Sequence, residues 1–296
     1  MNRKAVLDIG TNSIKFCLAE LNEHNECVFV VDTSAPTRLG EGMHKSRQIS
    51  SEALERNARA AADFAAKARE LGADEILVTG TAAARKAKNT EDFDRRLYEL
   101  SGLHLRVLSG EEEARLSNEA VLSELGDRVY GRLMTMDIGG GSTEFIFTEN
   151  KKILRRFSVP LGAVVLTEQW KLQNEVSRER LQQARDFVKT EFSSAGVVGP
   201  VERALGVGGT VNALARSVKG NILTAETLES MLHVFAGQTA EQRQKDADLP
   251  PGRADIIVGG IVIIIEAMQL AGVSGLTAST FGLRHALLKE MFSRQV

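Results

Sequence analysis

A chain of 296 residues is about twice an ordinary domain, and its 43% apolar and 26% charged residues with only 5 prolines exclude a disordered or collagen-like protein. The 37 Lys and Arg nearly balance the 39 Asp and Glu, so no general attraction toward nucleic acid or a membrane surface is expected, and any anionic ligand must be held locally. Cys17 and Cys27 fit no metal or redox spacing and read as small core or hairpin residues in a chain too large to need a disulfide framework.

The start, MNRKAVLDIG, falls far short of the apolar region of a signal peptide, so a soluble cytoplasmic protein is expected. Lys4 to Ile9, Ser13 to Leu21 and Cys27 to Thr33 are short β-prone runs, predicting a three-stranded meander whose first turn is DIGTNS, Asp8 to Ser13. Leu54, Ala58, Ala61, Ala62, Ala65 and Leu71 recur at helical spacing and Gly72 stops the run. Glu75 to Thr79 then predicts a strand entering GTAAARKAKN, and Gly102 to Ser109 a strand entering SGEEEARL. From Leu133 the meander recurs: Leu133 to Ile138, GGGS, Thr143 to Thr148 and Ile153 to Val159. The apolar run Ile256 to Ile265 contains a Gly-Gly pair and stops at Glu266. It is too short for a bilayer needing ~20 residues, reads as a buried helix, and implies no membrane partner. Gly275 to Ser279 and a helix from Gly282 to Phe292 close the chain.

Asp8 of DIGTNS matches Asp137 of DIGGGS at an offset of 129 (137 − 8), and Gly80-Thr81 matches Gly209-Thr210 at the same offset. Each half reads as meander, helix, strand, Gly-Thr turn and helix, an internal duplication of an α/β domain with the boundary near Asn118. Ligands of such sheets sit at the carboxyl ends of strands, so the two DIGxxS turns are expected to face a cleft between the domains.

In DIGGGSTE, Gly139, Gly140 and Gly141 let backbone N–H groups close on an anion, and Ser142 and Thr143 add hydroxyls. Gly10, Thr11, Asn12 and Ser13 form the matching turn in the first half, and Gly208, Gly209 and Thr210 lead into a helix whose N–H groups suit phosphate. Arg85 lies one helical turn beyond Thr81, where its guanidinium can grip phosphate oxygens. As a contact shared by ground and transition states, its loss should mainly raise the Michaelis constant. Asp8, Asp137 and Glu144 stand beside these anion-binding turns and suit Mg2+, or Mn2+, as mediator. Glu111, Glu112 and Glu113 open a helix, and one of the three can orient a water toward a terminal phosphorus.

DIGTNS, GTAAARKAKN, SGEEEARL, DIGGGSTE, SVPLGAVVLTE, GVGGTVNALA and RADIIVGG follow one another in an order that resembles the exopolyphosphatase and guanosine pentaphosphate phosphohydrolase family over nearly the whole chain. The resemblance implies an α/β fold of two duplicated ribonuclease-H-like, actin-like domains. It puts the catalytic base at Glu113, Glu144 beside the water, Asp137 near the metal, and Asn12, Ser13, Arg85, Thr210 and the loop glycines on phosphates. It also implies that the last helix packs back onto the first domain, so that residues 1–118 with 282–296 form domain I and 119–281 form domain II. Val165 stands where many members carry arginine. Longer members continue into further domains, so short chains, or a groove completed by a homodimer, are expected here. The leading expectation is hydrolysis of the terminal phosphoanhydride of inorganic polyphosphate. Removal of the 5′ phosphate of guanosine pentaphosphate is the nearest alternative. An acceptor-using kinase, a non-catalytic phosphate- or nucleotide-sensing module and an actin-like polymer are the more distant ones.

Overall fold

Alternation of side chains along a strand explains how the first sheet is covered. In β1 (Arg3–Ile9) the side chains of Ala5, Leu7 and Ile9 enter one apolar core, while Lys4 and Asp8 belong to the opposite set. The computed structural model describes residues 2–126, 130–247 and 249–293. After β1 come β2 (Ile14–Leu21), β3 (Cys27–Ala35), the short α1 (Met43–Ser46), α2 (Ser51–Glu70), β4 (Ala73–Gly80), α3 (Ala82–Lys86), α4 (Thr90–Ser101), β5 (Leu105–Val107) and α5 (Gly110–Leu125). The sheet has the order β3-β2-β1-β4-β5, antiparallel across the meander and parallel from β1 to β4 to β5.

The Ser50 hydroxyl accepts from the Ala53 N–H and caps α2. The buried alanines of α2, Ala53, Ala58, Ala61, Ala65 and Ala68, join Phe93 and Leu97 of α4 in the core over Phe16 and Leu18. The strand expected over Gly102 to Ser109 is paired only at Leu105–Val107, because the chain then turns to start α5.

The second half runs β6 (Arg132–Ile138), β7 (Thr143–Glu149), β8 (Lys152–Val159), α6 (Ala163–Trp170), α7 (Arg178–Ala195), β9 (Arg203–Val207), α8 (Gly209–Ala215), β10 (Ile222–Thr224), α9 (Ala225–Ala236), α10 (Ala240–Asp246), α11 (Ile257–Ala271), β11 (Gly275–Ala278) and α12 (Leu283–Ser293). Its sheet, β10-β11-β9-β6-β7-β8, repeats the first meander in β6 to β8 and the parallel steps in β9 and β11. One detail departs from the constant offset. Thr79 lies opposite Asp8, whereas Val207 lies opposite Asp137, an offset of 128 (207 − 79). Gly80 therefore follows the partner of Asp8 by one residue, whereas Gly209 follows the partner of Asp137 by two.

The run Ile256 to Ile265 is a buried helix as expected, and its Gly-Gly pair has a packing reason. A Cβ on Gly259 would press on the Thr167 hydroxyl and the Ala163 carbonyl of α6, and one on Gly260 would press on the Thr210 side chain of α8. The two glycines let α11 approach both helices. None of the described helices is long and apolar enough to cross a membrane.

The chain divides into two compact units, Met1–Leu116 with Leu283–Val296, and Ser117–Gly282. The division falls inside α5 rather than after residue 118 because Ser117 and Asn118 hydrogen-bond to Asp137 and Thr135 of β6. In unit 1, α12 covers the sheet face opposite α2. The buried Lys4 Nζ donates to the Met291 carbonyl at 2.7 Å and pairs with Glu75 at 2.9 Å. Arg284 grips Asp32 of β3 through two bonds of 2.6 and 2.7 Å. Burial alone would raise the Asp32 pKa, but the hydrogen bonds from His285 and Arg284 outweigh it and hold the carboxyl below its usual range. Residues 294–296 of the expected C-terminal segment 282–296 lie outside the described residues.

Candidate active site

In unit 1, the turn after β1 is closed by the Gly10 N–H donating to the Ser13 carbonyl at 3.0 Å. Thr11, Asn12 and Ser13 are buried. The Asn12 carbonyl accepts from the Thr37 and Arg38 N–H groups, and the Thr11 carbonyl from Gly40. The Thr11 hydroxyl is buried without a hydrogen-bond partner. Asp8 is 3% exposed. Its Oδ2 lies 3.4 Å from the Lys15 Nζ across the ladder, while its Oδ1 is buried with no hydrogen-bond partner.

The three glutamates of SGEEEARL have separate fates. Glu111 is exposed. Glu112 closes a capping arrangement, its carboxylate accepting from the Ser109 N–H at 2.9 Å while the Ser109 hydroxyl accepts from the Glu112 N–H at 3.1 Å. Glu113 is 7% exposed, and its Oε2 accepts from Arg85 Nη1 at 2.8 Å. The same Nη1 donates to the Leu108 carbonyl at 2.9 Å, so Arg85 bridges the end of β5 and the first turn of α5. This changes the expectation for Arg85, since a guanidinium that already holds Glu113 is expected to affect turnover as well as anion binding if Glu113 is the base. Arg85→Ala is expected to lower kcat by about ten- to a hundredfold, the scale of one lost hydrogen bond between charged groups, with partial recovery in Arg85→Lys. Steady-state kinetics check this, and a rise in KM alone would return Arg85 to a purely phosphate-binding role.

In unit 2, the turn after β6 has the same closure, Gly139 N–H to the Ser142 carbonyl at 3.0 Å. The SVPLG segment lies directly behind it. The carbonyls of Gly139 and Gly140 accept from the N–H groups of Ala163, Val164 and Val165 at 2.9–3.1 Å, and the Thr143 hydroxyl donates to the Leu161 carbonyl at 2.7 Å. Thr143 therefore secures the loop with the hydroxyl expected to meet phosphate. A Cβ on Gly162 would come within 2.5–2.6 Å of the Gly140 carbonyl carbon and the Gly139 oxygen. Gly162→Ala is expected to displace the loop, lowering turnover and destabilising the fold by about 1–3 kcal/mol. Urea unfolding and initial rates check this, and unchanged values in both would show that the loop can yield.

Asp137 and Glu144 are directly opposite each other in the β6–β7 ladder and so share one sheet face. Glu144 is fully buried, and its Oε1 accepts from the hydroxyls of Ser142 at 2.7 Å and Ser158 at 2.8 Å. Asp137 Oδ2 accepts from the Ser117 hydroxyl at 2.5 Å. The position that Glu144 holds here is taken in unit 1 by Lys15 opposite Asp8, so the repeat is chemically asymmetric: one half carries an Asp–Lys pair, the other two carboxylates.

Gly208, with φ 105°, packs on the Ile138 carbonyl, and a Cβ there would sit 3.2 Å from Asp137 Oδ1. The buried carboxylate of Asp137 and the unsatisfied Oδ1 of Asp8 are each of the donor type a hard divalent cation takes, one or two carboxylates with water completing its shell. Asp8 is the weaker of the two because Lys15 already balances its charge. Thr210 is buried, its hydroxyl without a hydrogen-bond partner.

Arg253, which opens RADIIVGG, is not among the residues that the glycine turns point to. Its guanidinium lies where a side chain on Gly209 would be, against the Gly208–Thr210 turn. Desolvation lowers its pKa to about 10, against the opposing effect of Asp255, so it remains cationic at neutral pH. The buried Arg243 ties down the same segment, donating to the Ala254 carbonyl at 3.1 Å and to carbonyls of Leu172, Gln173, Asn174 and Phe235. The available signal was an isolated arginine just before the buried glycine pair of α11.

Two sheets of this order, each ending its first strand in an acidic glycine turn with buried hydroxyls, define a two-domain, actin-like phosphohydrolase. The chain belongs to the Ppx/GppA phosphatase family, whose model matches residues 18–295, and is a phosphoanhydride hydrolase. Exopolyphosphatase 2 of Mycobacterium tuberculosis is 30% identical over 306 residues, covering 94% of this chain and 95% of that protein. Exopolyphosphatase 1 of Mycobacterium bovis is 28% identical over 300 residues, covering 97% and 87%. A bifunctional 3-dehydroquinate synthase/phosphatase of Fusobacterium nucleatum is 26% identical over 290 residues, and there the match spans only 43% of the relative's length. Among solved structures, the Ppx/GppA family member of Aquifex aeolicus superposes with a TM-score of 0.80 at 26% identity, covering 100% of this chain and 99% of that one. An exopolyphosphatase-like protein superposes with a TM-score of 0.90 at 26% identity, covering 99% and 100%.

Proposed function

We propose that this protein is a cytoplasmic, magnesium-dependent exopolyphosphatase that hydrolyses the terminal phosphoanhydride of inorganic polyphosphate and releases orthophosphate. The observation that carries the reading is the cross-strand pair Asp137 and Glu144 beside a glycine turn braced by SVPLG, two buried carboxylates next to backbone suited to an anion. The relatives named exopolyphosphatase support the substrate class. Glu113 is the base that takes the proton of the attacking water, oriented by Arg85. Glu144, held by Ser142 and Ser158, is the second carboxylate suited to orienting a water. The turns at Gly10–Ser13, Gly139–Ser142 and Gly208–Thr210, with Arg253 beside the last, bind phosphate oxygens. Asp137 would hold magnesium, whose chemistry when bound is to neutralise charge developing on the transferred phosphoryl group. Val165, directly behind Gly140, brings no cation to that loop, so short chains are favoured over long ones.

The test is orthophosphate release, with magnesium, from short polyphosphate, long polyphosphate, guanosine pentaphosphate and ATP at equal terminal phosphate. Release mainly from polyphosphate, faster from short chains, is expected. Preference for guanosine pentaphosphate would replace the substrate class. Release from none of the four would leave a sensing module of the same fold.

A further inference from the structure

On the sheet face that α12 covers, unit 1 brings together three side chains of unlike chemistry. Cys17 on β2 and Asp32 on β3 are direct cross-strand partners, so the ladder fixes their separation. His285 on α12 completes the group. One donor atom from each, the Cys17 sulfur, an Asp32 carboxylate oxygen and a His285 ring nitrogen, lies within 4.8 Å of the other two. The His285 Nε2 to Asp32 Oδ2 distance is 3.1 Å, close to the ~3.4 Å that separates nitrogen and oxygen ligands around a tetrahedral zinc with bonds of about 2.0–2.2 Å.

We propose that Cys17, Asp32 and His285 form a binding site for a thiophilic divalent cation of the zinc class, separate from the magnesium site of the proposed reaction. A thiolate, an imidazole and a carboxylate are the ligands such an ion prefers, and water supplies the fourth position. As the sulfur–metal bond forms, the thiol proton passes to solvent. Arg284 is compatible with the site. It donates to both carboxylate oxygens, Nε to Oδ1 at 2.6 Å and Nη2 to Oδ2 at 2.7 Å, holding the carboxylate as outer hydrogen bonds do for metal-ligating carboxylates, so the ion takes the remaining lone pair of Oδ2 on the side of His285. Cys17 and His285 are buried while Asp32 reaches the surface, so the carboxylate side is the entry. Asp32 and His285 are 253 residues apart in the chain, and the bound ion would pin α12 to strands β2 and β3, adding to the Arg284 contact.

Cobalt(II) added to the metal-free full-length protein is the probe. One equivalent should bind with a thiolate-to-cobalt charge-transfer band in the near ultraviolet, a signature that an all-oxygen magnesium site cannot give. Cys17→Ser should abolish the band, and Cys27→Ser should retain it. His285→Gln should weaken cobalt binding by at least about tenfold. Zinc should raise the unfolding temperature of the wild type and not of His285→Gln, each compared with its own metal-free form by circular dichroism, which also establishes that the variants fold. Absence of the band from the wild type, its persistence in Cys17→Ser, or an equal zinc shift in His285→Gln would each overturn the site.

Discussion

Glu113→Gln is expected to lower turnover by about a hundred- to ten-thousandfold, the usual contribution of a positioned general base, while substrate binding remains measurable. The amide is nearly isosteric and can still accept from Arg85, so the first turn of α5 should be preserved. What is lost is a group able to take the proton of water. Glu113 is the buried glutamate of its trio, whereas Glu111 is exposed and Glu112 caps the helix and accepts from Arg106 at 3.1 Å. Glu111→Gln should leave activity unchanged, and Glu112→Ala, which removes the acceptor of the Ser109 N–H, should cost about 1 kcal/mol of stability through the cap. Near-normal turnover in Glu113→Gln would move the base elsewhere, with Glu144 the first candidate.

Asp137→Asn is expected to reduce activity by tenfold or more, of the order expected when a cation's charge stabilisation is weakened, and to move the magnesium titration to higher concentration. The distinguishing feature is that these two effects should occur together, because the substitution removes a ligand charge and leaves the nucleophile's base in place. Asparagine retains an oxygen to accept from Ser117, so the tie between α5 and β6 is preserved. A magnesium midpoint identical to that of the wild type would remove Asp137 from the cation site.

The repeated acidic glycine turns could be read from the sequence because their requirements are local: a strand, a tight turn and a returning strand leave a pattern of a few adjacent residues. The pairing of Asp137 with Glu144 follows from the same hairpin, since two positions flanking a short turn must meet in the ladder. The buried helix after Ile256 was legible from its length, but the purpose of Gly259 and Gly260 was not, because it lies in the neighbouring Thr167 and Thr210. Nothing in EEE separates Glu113 from Glu112. That choice is made by Arg85, 28 residues earlier, and by the Ser109 cap. The place of Arg253 is hidden for a similar reason, since it is defined by the approach to Gly209 rather than by adjacent residues. The return of α12 rests on Lys4 with Met291 and Asp32 with Arg284, pairs more than 250 residues apart, which no local pattern announces.

The most direct test of the central claim is phosphorus NMR of polyphosphate of defined length during digestion with magnesium. Terminal hydrolysis predicts that the orthophosphate signal rises from the first turnovers as the internal-phosphate signal falls, with the chain-end signal constant until the chains are nearly consumed. An early rise in chain ends without matching orthophosphate would mean internal cleavage and would contradict the account.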